Sequence, residues 1–254
     1  SREKHCFMKI CDENKCTGCS ACSNICPKQC ITMTYNCRLE LVPKIGSDCI
    51  NCGLCALVCP INEPSKYKNK SLSCYAAYSN GFRNSSSSGG IASSLACEML
   101  ARGGAVCGCV FDGRVHHVIS TDMSTINAMR GSKYVQSQID DCYIQIKQLV
   151  ATKKCLFVGT PCQVAGVKSI VGQSPNLYCV DLICHGTPSP KYLEEVIDFA
   201  GGCTSISFRE NNNFTLQTDG KISRVSERYM LSFLNGLTFR ESCYFCPFAE
   251  NDRV

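Results

Sequence analysis

No run of 18 apolar residues occurs in this 254-residue sequence, so no membrane-spanning helix is expected. The first residues, Ser1 to Met8, are polar and mixed, which argues against a secretory leader. The chain starts on Ser rather than Met, so a processed piece is expected. There is no basic stripe, and nothing points to nucleic acid. The absence of a GxGxxG motif excludes an ordinary Rossmann fingerprint. No acid–base pair stands out as obliged to do chemistry. Tryptophan is missing altogether.

Cysteine, by contrast, is abundant, with 24 residues. In a short secreted chain this count would signal a disulfide scaffold. Here many thiols sit singly in apolar, strand-like runs (Cys107, Cys155, Cys179), where cysteine acts as a small buried hydrophobe. A reducing, oxygen-poor cytoplasm is the expected compartment.

Eight further cysteines form one pattern used twice. Cys16, Cys19, Cys22 and Cys26 are separated by two, two and three residues, and Pro27 follows. Cys49, Cys52, Cys55 and Cys59 repeat the spacing, and Pro60 follows. This is the bacterial two-cluster iron–sulfur pattern, in which the fourth cysteine of each run ligates the other cluster. One [4Fe–4S] cluster is therefore assigned to Cys16, Cys19, Cys22 and Cys59. The other takes Cys49, Cys52, Cys55 and Cys26. Three thiolates on a tight loop reach three irons, and the partner run supplies the fourth ligand. Gly18 and Gly53 fall where the loops must bend with positive φ. Zinc knuckles use paired cysteines and a longer gap. The formal charge of +5 counts thiols as neutral. A cubane on four thiolates carries roughly −2, so two or three clusters bring the loaded protein near neutrality.

The length suits two domains, and 44% hydrophobic residues allow the larger one a proper core. Residues 1–70 read as an α+β, ferredoxin-like two-cluster domain with short strands such as 30–35. Cys6 and Cys11 have no motif spacing and read as structural or incidental. Residues 62–70 read as a linker. Residues 71–254 alternate strands with helices and are expected to form an α/β domain with a mixed sheet. Strands are expected at 74–78, 105–111, 114–120, 155–158, 177–183, 204–208 and 214–218. Helices are expected at 91–101, 123–129, 139–151, 163–171, 190–200 and 227–235. Asp112 and Gly113 turn the hairpin between the second and third strands.

Within this second part, Ser85, Ser86, Ser87, Ser88, Gly89 and Gly90 open a helix. Amides at a helix start, with hydroxyls beside them, can bind an anion; a flexible loop is the competing reading. Thr160, Cys162 and Gln163 lie where a strand passes into a helix, and Cys184 and His185 close the next strand. Cys243 and Cys246 form a CxxC. Ligand loops gather at strand ends of such sheets. Cys162, Cys184, Cys243 and Cys246 are thus candidates for a third thiolate set. Separately buried cysteines, or a redox CxxC, are the alternatives. Lys133 can pair with a phosphate or a flavin ring, or remain a solvated loop lysine.

The segments SSSSGGIASSL, GSKYVQS, LFVGTPCQVAG, VDLICHGTPSP and CYFCPF occur in this order. Together they resemble the coenzyme F-420 hydrogenase/dehydrogenase beta-subunit family over residues 71–254. The 16–60 stretch resembles bacterial-type ferredoxins. The resemblance implies an FAD-containing iron–sulfur oxidoreductase with a further cubane in the second domain. It implies flavin contacts at Ser86, Ser87, Ser88, Gly89, Gly90 and Lys133, with Thr160, Gln163 and His185 as further candidates. Partners would be a redox protein, an F-420-type deazaflavin or another small electron carrier. Family members usually continue past the CxxC with an Asp-Phe-Trp stretch and a further C-terminal region. This chain ends at Val254 without a Trp, so a C-terminally incomplete flavin wall is expected. Two rival functions stay open: a ferredoxin-like relay without flavin, and a cluster-linked thiol–disulfide reductase using Cys243 and Cys246.

Overall fold

The computed structural model describes residues 9–210 and 213–249. Cys6 and the polar lead-in up to Met8 lie outside the described residues, as does the end at Val254.

The cysteine-rich stretch forms two short helices, α1 (Ala21–Ile25) and α2 (Leu54–Leu57), beside a hairpin of β1 (Ile31–Tyr35) and β2 (Leu41–Ile45). The two strands pair antiparallel, Ile31 opposite Ile45. Gly18 has φ +64°, as the sharp bend requires. A Cβ there would lie 2.5 Å from Gln136 Nε2 and 2.8 Å from the Leu41 carbonyl oxygen.

The rest of the chain builds α3 (Ile91–Ala101), β3 (Ala105–Phe111), β4 (Val115–Ser120), α4 (Met123–Met129) and α5 (Cys142–Leu149). Then follow β5 (Cys155–Gly159), α6 (Pro161–Val171), β6 (Leu177–Asp181) and α7 (Pro190–Phe199). Last come β7 (Ile206–Glu210), β8 (Asn213–Thr218), α8 (Arg224–Leu234) and α9 (Glu241–Tyr244). Four strands form one sheet in the order β4-β3-β5-β6. The β3–β4 pair is antiparallel and the β3–β5 and β5–β6 pairs are parallel, so the sheet is mixed, as expected. Among the described residues, β7 and β8 instead pair only with each other, as a separate antiparallel hairpin.

Start signals explain where the helices begin. Thr160 and Gln163 form a capping box with Pro161 in the first turn, so α6 begins two residues earlier than periodicity suggests. Ser189 caps α7 by accepting from the Lys191 amide, again with Pro in the first turn. Ser223 caps α8 through Ser226, which places its start at Arg224 rather than near 227.

The expected strand at 74–78 does not form; these residues are irregular. Tyr75 and Tyr78 are exposed, so the segment buries no apolar face. β6 ends at Asp181, two residues early, because Leu182 and Ile183 leave the sheet to line a cavity.

The main core joins the two regions. Cys19, Ala21 and Val58 from the cysteine-rich stretch pack with Ile139, Tyr143, Ile146, Phe157, Val164 and Val167. No helix among the described residues is long and apolar enough to cross a membrane.

Candidate redox site

The thiols of the repeated pattern come together in two groups. Cys16, Cys19, Cys22 and Cys59 act on one another electrostatically. Burial pushes the Cys19 and Cys22 thiols up. The Cys16 thiol moves the other way, to about 7, chiefly through a hydrogen bond from Cys11, with Arg240 assisting against burial. Cys26, Cys49, Cys52 and Cys55 line one small cavity together with Cys30.

A third group gathers from separate loops. Cys162, in the first turn of α6, lies within electrostatic reach of Cys184, Cys243 and Cys246. Burial pushes its thiol up to about 12. Cys19 in turn feels Cys162, so the third group adjoins the first. Among the described residues no three His, Cys, Asp or Glu side chains converge as one metal ion requires. Cubane ligands each bind a separate iron and stand farther apart than ligands sharing one ion, so the thiol sets suit clusters. All the described cysteines are free of disulfide bonds.

A buried polar bridge, invisible to motif reading, links the first and third groups. Arg240 is 2% exposed. Its Nη1 donates to Gln136 Oε1 at 2.8 Å, and its Nη2 donates to the carbonyls of Cys16 at 2.9 Å and Leu41 at 3.0 Å. Gln136 Nε2 donates to the Thr17 and Gly18 carbonyls, both at 3.1 Å. Glu40 accepts from the Glu241 amide at 2.6 Å. The only sequence signal was proximity: Arg240 lies three residues before Cys243.

At the carboxyl ends of β5 and β6 lies a cavity of about 470 Å³, within the usual size for a small-molecule site. Ser86, Ser87, Ser88, Gly89, Gly90, Lys133, Thr160 and Gln163 all line it. Its other wall is apolar, with Ile91, Ala96, Val106, Ile126 and Val158. The Ser86 hydroxyl is buried without a hydrogen-bond partner. Gly90 has φ +77°, and a Cβ there would meet Phe82 at 2.9 Å. A second, polar cavity of about 770 Å³ shares the serine lip and is flanked by Arg83, Arg130 and Arg209. An apolar slot beside a cationic, hydroxyl-rich one fits a flavin dinucleotide, with ring and diphosphate demanding opposite surroundings.

Two candidates stand differently from their sequence reading. Lys133 lines the cavity, but its ammonium is enclosed by four carbonyls, of Cys109, Ala128, Met129 and Arg130, all within 3.0–3.1 Å, which its three N–H groups share. It closes the carboxyl end of α4, and burial pulls it below the usual lysine range. His185 is not among the cavity residues. It packs against Phe233 and Phe239, at ring-centre distances of 5.2 and 5.6 Å.

The loop entering α6 is held by a chain of neutral hydrogen bonds. Thr160 donates from its amide to Gln163 Oε1, and Gln163 Nε2 donates to the Ser137 hydroxyl. Ser137 Oγ lies 2.9 Å from His117 Nδ1, and His117 Nε2 lies 3.0 Å from the Val158 carbonyl. Only a neutral ring protonated at Nε2 satisfies both contacts with Ser137 as donor.

Two models of the coenzyme F420 hydrogenase/dehydrogenase beta subunit match the chain, the N-terminal one over residues 74–142 and the C-terminal one over 152–251. The chain belongs to this family. A 4Fe–4S dicluster domain model matches residues 15–63, so this member carries the dicluster unit ahead of the beta-subunit region. No curated protein matches the chain by sequence. Among solved structures, the F420-reducing [NiFe] hydrogenase complex from Methanosarcina barkeri, in a xenon derivative, is similar at 19% identity. That match has a TM-score of 0.49 and covers 65% of this chain and 64% of the other. This family member thus spans about 64% of that neighbour's length.

Proposed function

We propose that the protein is an FAD-dependent iron–sulfur oxidoreductase subunit. It passes electrons between three [4Fe–4S] clusters, the flavin and a soluble partner, an F-420-type deazaflavin or another carrier. Residues 1–70 would serve as the two-cluster unit and residues 71–254 as the flavin unit.

One observation carries this reading: the first turn of α6 faces both sites. Thr160 lines the cavity, and its hydroxyl lies 3.3 Å from Cys162 Sγ. Cys162 belongs to the third thiol group and adjoins Cys19 of the first. A cofactor in the cavity would sit beside a continuous series of thiolate sets. Bound there, the flavin supplies the exchange between paired and single electrons, and the cubanes supply single-electron stations.

The chain's own residues do the rest. The free Ser86 hydroxyl offers a hydrogen bond to a polar ligand atom. Gly90 lets the loop turn against Phe82. The Thr160–Gln163 cap holds the loop between cavity and thiols. Arg240 places a fixed positive charge beside the Cys16 backbone, where a loaded cluster would be anionic.

Anaerobic purification with iron, sulfide and flavin counted per chain tests the proposal. About twelve irons and one FAD are expected. Full iron without flavin would favour the simple relay and overturn the flavin assignment.

A further inference from the structure

Beyond the eight thiols of the repeated pattern, two more stand in contact with that pattern. Cys30 Sγ lies 3.4 Å from Cys26 Sγ. It is also within hydrogen-bond reach of Cys49 and lines the same cavity as Cys26, Cys49, Cys52 and Cys55. Cys11 stands beside the other set: it packs in the same apolar cluster as Cys22 and Cys59 and lies within electrostatic reach of Cys16 and Cys59. Both extra thiols pack into the apolar cluster that contains Cys22, Cys26, Cys55 and Cys59. Their positions share a logic. Each lies beside the first cysteine of one run and the fourth cysteine of the other. That is the seam where a cluster's two ligand sources meet.

We propose that Cys11 and Cys30 are reserve ligands, one for each cluster of the 16–60 stretch. The inference rests on the two-cluster reading of that stretch. A thiol touching a ligand sulfur needs only side-chain rotation to approach the same iron. The exchange is a proton-coupled ligand swap with no change of oxidation state. The iron–sulfur bond to Cys26 breaks and one to Cys30 forms. The Cys30 proton passes to the departing Cys26 sulfur, or to water if that sulfur has been removed. Iron and sulfide counts are unchanged. Cys26 is half-buried, so it is a ligand open to loss by alkylation. With a substitute at 3.4 Å, losing it need not cost the cluster.

The test uses the full chain, purified without air, as wild type, Cys26→Ala, Cys30→Ala and Cys26→Ala/Cys30→Ala. Iron and sulfide are counted, and the dithionite-reduced spin-resonance spectrum is recorded. Cys26→Ala should keep its iron and show an altered spectrum, whereas the double variant should lose about four irons. Equal iron loss in Cys26→Ala and the double variant would overturn the proposal, as would full iron in the double variant. Wild type without iron would instead overturn the cluster reading beneath it. Iodoacetamide labelling gives a second readout: Cys30 should label in wild type and become protected in Cys26→Ala. Labelling of Cys30 in a folded Cys26→Ala would count against the swap. Cys59→Ala, with and without Cys11→Ala, repeats the test at the other set.

Discussion

Gly18 shows how much one residue can decide. Its φ of +64° and its contacts with Gln136, Leu41 and Arg240 leave no room for a methyl group. Gly18→Ala should cost about 2–3 kcal/mol, from left-handed strain plus displacement of the bridge. The shift in denaturation midpoint measures this. The bend at Gly18 was legible from the cysteine spacing, which is local. Arg240 and Gln136 were not, because their meeting depends on chain 104 residues apart. His117 offers a pH test. Burial holds its pKa down from 6.5 to about 4, so the folded state keeps the ring neutral while the unfolded chain takes up a proton below about 6.5. Stability is therefore full above that pH and falls as pH drops toward 4. Between pH 7.5 and 5.5 the expected loss is about 1.3 kcal/mol, and His117→Gln should flatten it. Denaturant titrations at both pH values check the difference.

At the scale of elements, helix α6 is the pivot. Its capping residues and Pro161 are readable in sequence, and they set its start at the carboxyl end of β5. Cys162 in its first turn joins thiols from the loop after β6, from α9 and from the turn after α9. Each contributing loop was recognisable, but their convergence is a property of the sheet order β5-β6 and of the α9 approach. Cys246→Ser should remove about four irons per chain while leaving the irons of the 16–60 stretch. Unchanged iron with a lost disulfide-reducing activity would favour the thiol role. The segment 74–78 marks the opposite case. Its apolar residues suggest a strand, yet its backbone is irregular and its side chains are exposed.

For the whole molecule, cohesion comes from contacts between distant stretches. Asn24 donates to the Asp140 carbonyl at 2.7 Å and accepts from the Ile144 amide at 3.2 Å. Arg240 and Gln136 add the buried bridge, and Cys19 and Ala21 enter the main core. Residues 69–78, by contrast, are exposed. Limited trypsin treatment should cut after Lys70, and the two fragments should co-elute on size exclusion under native conditions. Separate elution would contradict the packing described.

The sequence by itself determined the two-cluster pattern, the alternation that makes a mixed sheet, the family and the serine-glycine loop. These rest on spacing, periodicity and local turns, which neighbours in the chain control. Only the tertiary structure decided that Cys162 adjoins Cys19, that Lys133 closes a helix, that His185 joins an aromatic cluster and that Cys11 and Cys30 pack beside thiols of the repeated pattern. Such meetings follow from how sheet order and burial bring remote loops together, and no local pattern records them.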